Sequence, residues 1–73
     1  MITKATLTKK LGKRLKQVRE EQGYSQEELG YRAGLNRTYV GYIEVGKHTP
    51  SIYTLYKLSH ALGVDLSDII KLS

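Results

Sequence analysis

Apolar residues recur at Leu7, Leu11, Leu15 and Val18, the three- and four-residue spacing of a helix buried along one side. This pattern predicts a helix over residues 8–22, with residues 1–6 frayed ahead of it and Gly23 ending it. Lys9, Lys13 and Lys16 fall together on a flank away from the stripe, so they can meet phosphates without disturbing a core.

After Tyr24 the chain reads as two short helices meeting across a tight turn. Ser25-Gln26-Glu27-Glu28 has the form of a capping box, and Tyr24 and Leu29 are spaced as its hydrophobic staple. The helix that begins near Gln26 should stop at Gly34, because glycine tolerates the left-handed backbone that closes a helix. Asn36 then caps a second short helix, expected over 37–45 and ended by Gly46. Gly30 lies inside the first of the pair, where glycine costs about 1 kcal/mol relative to alanine. A neighbouring backbone pressed against it would explain that cost. Val40 and Ile43, at i, i+3 spacing, can then pack on Leu29 and Ala33, which is the arrangement of a helix-turn-helix over 25–46.

Lys47-His48-Thr49-Pro50 reads as a loop, after which Ser51 caps a fourth helix. Its buried stripe is expected to be Ile52, Leu55, Leu58 and Leu62, with Gly63 at its end and Tyr53 and Tyr56 beside the stripe as rim or interface residues. Asp65 is the expected N-cap of a fifth, short helix. Leu66, Ile69, Ile70 and Leu72 are spread around too much of that segment for one small core, so residues 64–72 are expected to provide a dimer contact through Leu66, Ile69 and Ile70, joined by Tyr53 and Tyr56. The fold expected is all-α, a compact five-helix bundle forming one domain over 1–73, without internal repeats, low-complexity tracts or linkers.

Composition narrows the functional classes. A domain of 73 residues buries only roughly 60% of its unfolded surface, so stability should be thin. Cysteine is absent, which removes disulfides and thiolate metal sites, and no stretch resembles a secretory signal or a membrane span; a cytoplasmic protein without membrane attachment is the expectation. The net charge is +5, and Lys4, Lys9, Lys10, Lys13, Arg14, Lys16 and Arg19 all precede the first acid, Glu20. Such a segment suits a polyanion, although it equally describes a solvated helix face. His48 and His60 are far apart and lack carboxylate neighbours, so no metal or cofactor is expected, and His60 is assigned a structural place between core leucines. No side chains are grouped for acid-base or nucleophilic catalysis, and the chain is not expected to be an enzyme.

Arg19, Gln26, Leu29, a small residue at 30, Ala33-Gly34-Leu35, Val40, Ile43-Glu44, Gly46, Pro50-Ser51-Ile52 and residues 55–63 together resemble the phage-repressor and Cro-like (XRE-type) helix-turn-helix proteins, whose fold is the lambda-repressor-like DNA-binding domain. The run NRTYVGYIE and the short chain resemble the controller proteins of restriction-modification systems within that family. The resemblance implies an ion pair between Arg19 and Glu44, and a homodimeric, sequence-specific transcriptional regulator whose partners are operator DNA with an inverted repeat, a second copy of itself and RNA polymerase. The alternative is an antitoxin or protein-bridging adaptor that keeps the fold and grips another protein, since fold alone does not dictate function.

With Val40 at the buried centre of the third helix, steps of about a hundred degrees put Thr38, Tyr42 and Val45 on the far side, flanked by Arg37 and Gly41. A helix in the major groove reads bases through its N-terminal residues. Arg37, whose fork matches guanine N7 and O6, is the first candidate for base contact, with a phosphate contact or a solvated helix start as the alternatives. Thr38 and Tyr42 follow, and Gly41 is read as allowing close approach of the helix to the groove. Gln26, Asn36, Tyr39, Lys47, His48 and Thr49 are the candidates for phosphate contacts, Gln26 together with the amides that open its helix. Controller-type relatives commonly carry serine where this chain has Gly41 and arginine where it has Val45, so the resemblance does not carry over their operator.

Overall fold

The computed structural model describes residues 1–72 and contains five helices: α1 (Lys4–Glu21), α2 (Gln26–Ala33), α3 (Arg37–Glu44), α4 (Ile52–Leu62) and α5 (Leu66–Ile69). There is no strand among the described residues. α2 packs across α3 and α4, α1 lies against α3 and α5, and α4 also holds α5. Leu15, Leu29, Val40, Ile43, Leu58 and Ile69 are fully buried where these helices converge.

Local chemistry sets the boundaries. The Glu28 amide donates to Ser25 Oγ at 3.0 Å and the Thr38 amide to Asn36 Oδ1 at 2.7 Å, capping α2 and α3 as their sequences predict. Only half of the expected capping box forms, because the Glu28 carboxylate turns outward to Arg32, 4.0 Å away, one helical turn on. Gly34 adopts φ 70°, and its left-handed backbone closes α2. α3 ends one residue before the expected point, with Val45 as its C-cap.

Gly30 carries the close approach expected of it: a β-carbon there would lie 2.7 Å from the Leu35 carbonyl oxygen. Gly12, which nothing in the local pattern singled out, plays the same part between α1 and α3. A β-carbon at Gly12 would fall onto the Ile43 carbonyl oxygen and within 2.7 Å of that of Glu44.

Several expectations are corrected. Residues 4–6 are helical rather than frayed, since Thr3 caps α1 by accepting the Thr6 amide at 3.1 Å. The first turn of α1 overhangs the bundle, which leaves Leu7 exposed; Thr8 is buried instead, its hydroxyl 2.8 Å from that of Thr49. Ile52 opens α4 and is exposed, and Ser59 occupies the core side, its hydroxyl donating to the Tyr56 carbonyl at 2.8 Å. His60 is not among the core leucines but exposed, stacked beside Tyr56 with ring centroids 6.2 Å apart.

The dimer assignment changes most. Ile69 is completely buried in the core, while Leu66 and Leu72 are half-buried against it. α5 is a single turn, so the chain bends after it and a regular helical wheel no longer describes where its aliphatic residues point. The Asp65 amide donates to the Asp68 carboxylate at 3.0 Å, and Arg14 Nε reaches the Asp68 carbonyl at 2.7 Å, fastening α5 to α1. Ile70 remains exposed, and the larger outward apolar surface is on α4: Ile52, Tyr53 and Tyr56.

Candidate nucleic-acid interface

The base of the candidate interface is a buried polar cluster under α3. Arg19, near the end of α1, grips Glu44, at the end of α3, with Nε 2.6 Å from Oε2 and Nη2 3.0 Å from Oε1. Its remaining terminal nitrogen donates to the Tyr24 carbonyl at 2.7 Å, so one guanidinium ties together α1, the turn before α2, and α3. The Glu44 side chain is almost wholly enclosed, and its hydrogen bond holds the Arg19 guanidinium above its ordinary pKa against the opposing effect of burial. Gln26 completes the cluster, donating from Nε2 to Glu44 Oε1 at 3.0 Å. This fixes how the N-terminus of α2 stands relative to α3.

Over this base, α3 turns Val40 and Ile43 inward and Arg37, Thr38 and Tyr42 outward, and its C-cap Val45 is exposed as well. Lys47 lies over the Tyr42 ring, Nζ 5.4 Å from its centroid, so the cation and the aromatic share one exposed site. Arg37 is exposed at the first position of α3 and pairs with Glu27 at 2.9 Å. Gly41 is half-buried, and a β-carbon there would lie 3.5 Å from Gln26 Oε1, an ordinary contact; nothing in the interior demands glycine.

The residues considered for phosphate contact divide into two groups. Asn36, Lys47 and His48 are exposed, with Asn36 already spending its carbonyl oxygen on the cap of α3. Tyr39 is half-buried against the core and meets the His48 ring edge-on at 4.8 Å; the Gln26 amide is bound to Glu44, and the Thr49 hydroxyl is engaged by Thr8. These three act at least in part as internal braces for the loop and helix starts that they belong to.

Two residues were missed by reading the sequence. Gly12 sets the approach of α1 to α3, and its only local signal is a glycine inside an otherwise good helical pattern. Glu27 engages Arg37 across ten positions of sequence, for which no local spacing rule exists.

Comparison with known proteins agrees with this geometry. A helix-turn-helix family model, HTH_3, matches residues 15–69. The HTH-type transcriptional regulator y4dJ of Sinorhizobium fredii, itself uncharacterized, is 34% identical over 64 residues, covering 88% of this chain and 83% of y4dJ. The prophage-derived regulator YonR of Bacillus subtilis is 42% identical over 60 residues, 82% of this chain, which spans only 56% of YonR. Among solved structures, the restriction-modification controller protein C.AhdI from Aeromonas hydrophila superposes with a TM-score of 0.83 at 38% identity, over 89% of this chain and 97% of C.AhdI. The chain therefore belongs to the XRE-like helix-turn-helix family of DNA-binding transcriptional regulators.

Proposed function

We propose that the protein is a cytoplasmic, homodimeric, sequence-specific transcriptional regulator, without catalytic activity, of the restriction-modification controller type. The observation that carries the DNA-reading part is α3 itself: a helix locked from beneath by Arg19, Glu44 and Gln26, with Arg37, Thr38 and Tyr42 exposed on its outer side. A rigid helix of this kind fits a major groove, with Arg37 and Thr38 on base edges and Asn36, Lys47 and His48 against the flanking phosphates. The likeness to C.AhdI across nearly all of both chains supports the controller type. The target in this reading is a palindrome with half-sites about one helical turn apart, roughly 34 Å; whether it activates or represses depends on where the site lies relative to RNA polymerase.

Titration on a palindromic duplex at increasing salt, with a scrambled duplex beside it, tests the proposal. Affinity should fall steeply with salt, because several phosphates are neutralised, and should favour the palindrome. Affinity that hardly changes with salt or sequence would sink the reading. The joint Arg37→Ala and Thr38→Ala variant separates it from an antitoxin or adaptor role: loss of DNA binding with self-association intact supports the regulator.

A further inference from the structure

The Glu27–Arg37 pair joins the first turn of α2 to the first residue of α3, with Oε2 and Nη1 2.9 Å apart. Both side chains are mostly open to solvent, 74% for Glu27 and 68% for Arg37. Fold stability therefore gives little reason for the pair, since exposed ion pairs contribute little. Its position is more informative. Gly30 lets the turn at Leu35 sit against α2, which brings the start of α3 beside Glu27.

A guanidinium presents five N–H donors in a planar fork. Glu27 occupies Nη1, and the donors on Nε and Nη2 lie along another edge of the same plane, the number and geometry that guanine N7 and O6 accept together. A free arginine at this place has two anionic or acceptor targets within reach of its long stem, a base edge and the sugar-phosphate backbone. A carboxylate beside it changes the choice: it orients the fork, and it repels the nearest phosphate.

We propose that Glu27 is a specificity-determining positioning residue, which holds Arg37 on a guanine edge and away from the DNA backbone. This rests on the reading of α3 as the helix that enters the major groove. Because the pair exists before binding, Arg37 arrives with its charge already matched and releases few counterions. Removing the Glu27 charge frees a cation, so binding becomes more electrostatic and less selective.

The test uses a duplex selected by the native protein from a random-sequence pool, against a scrambled duplex. In Glu27→Gln, affinity for the scrambled duplex should rise several-fold, the log-log salt slope should steepen by about 1, and the ratio of selected to scrambled affinity should fall roughly tenfold. The thermal melt should fall by no more than a few degrees, the loss expected when an exposed carboxylate is removed from the first turn of a helix. In an Arg37→Ala background the same Glu27→Gln change should leave ratio and slope nearly unaltered. An unchanged ratio and slope in Glu27→Gln alone overturns the proposal, as does a loss of selectivity that persists without Arg37, which would make Glu27 a direct reader. Failure of the native protein to prefer any duplex is a different result, and it overturns the DNA-reading function itself.

Discussion

Gly12 and Gly41 both sit inside helices, and glycine costs each helix about 1 kcal/mol relative to alanine. At Gly12 the structure demands it, because an added methyl would strike the backbone carbonyls of Ile43 and Glu44, which cannot swing aside as a side-chain tip does. At Gly41 the same methyl would meet only the end of Gln26 at an ordinary distance. Gly12→Ala should therefore destabilise the fold by about 1–3 kcal/mol, whereas Gly41→Ala should stabilise it by up to about 1 kcal/mol. Chemical denaturation checks both signs. If Gly41 serves close approach to DNA, the stabler Gly41→Ala variant should also bind its target more weakly. The need for Gly30 was legible because its partner lies just beyond the neighbouring turn; the partner of Gly12 is some thirty positions away, and no local pattern points to it.

At the scale of elements, the helix starts and the helix-turn-helix were legible because Ser25, Asn36 and Ser51 each spend a side-chain oxygen on a specific nearby amide. Faces near helix ends were less so. Leu7 and Ile52 follow the apolar period, yet each lies in a first turn that projects past the other helices, and the period alone does not say where the bundle stops. The clamp between α1 and α3 is the strongest test of how elements are held. Glu44→Ala leaves the buried Arg19 charge unmatched and should cost about 3–5 kcal/mol, a large part of the stability of so small a domain. Replacing both, Arg19→Met with Glu44→Leu, should recover most of that loss, because neither charge then needs a partner. Denaturant titration of the three proteins decides it. The pH dependence has a definite sign: the folded pKa of Arg19 is raised, so its contribution is complete below the ordinary arginine value and fades only as pH rises through the higher folded one. The Arg19 titration should therefore produce no change in stability between pH 7 and pH 10, a range that lies below both of its pKa values.

At the scale of the whole molecule, the proposed homodimer requires an outward apolar surface that two copies can share. The aliphatic residues after Gly63 were expected to supply it, but α5 directs Ile69 into the core and leaves Leu66 and Leu72 packed on it. On α4 and the segment after it, the exposed large apolar residues are Ile52, Tyr53, Tyr56 and Ile70, with Lys57 lying over the Tyr53 ring at 5.0 Å. Adjacent exposed aromatic and aliphatic side chains are the kind of surface that a two-fold contact buries twice, once on each copy. Two classes of variant should thus behave in opposite ways. Ile69→Ala should destabilise each subunit by about 2–5 kcal/mol, whatever its oligomeric state. The pair Tyr53→Glu and Tyr56→Glu should leave helix content unchanged, shift sedimentation toward the monomer, and weaken binding to a two-half-site duplex far more than to a single half-site, because linked subunits bind the second half-site at a high effective concentration. Native protein that sediments as a monomer at high concentration, with both tyrosine changes silent on the full site, would falsify a dimer built on α4.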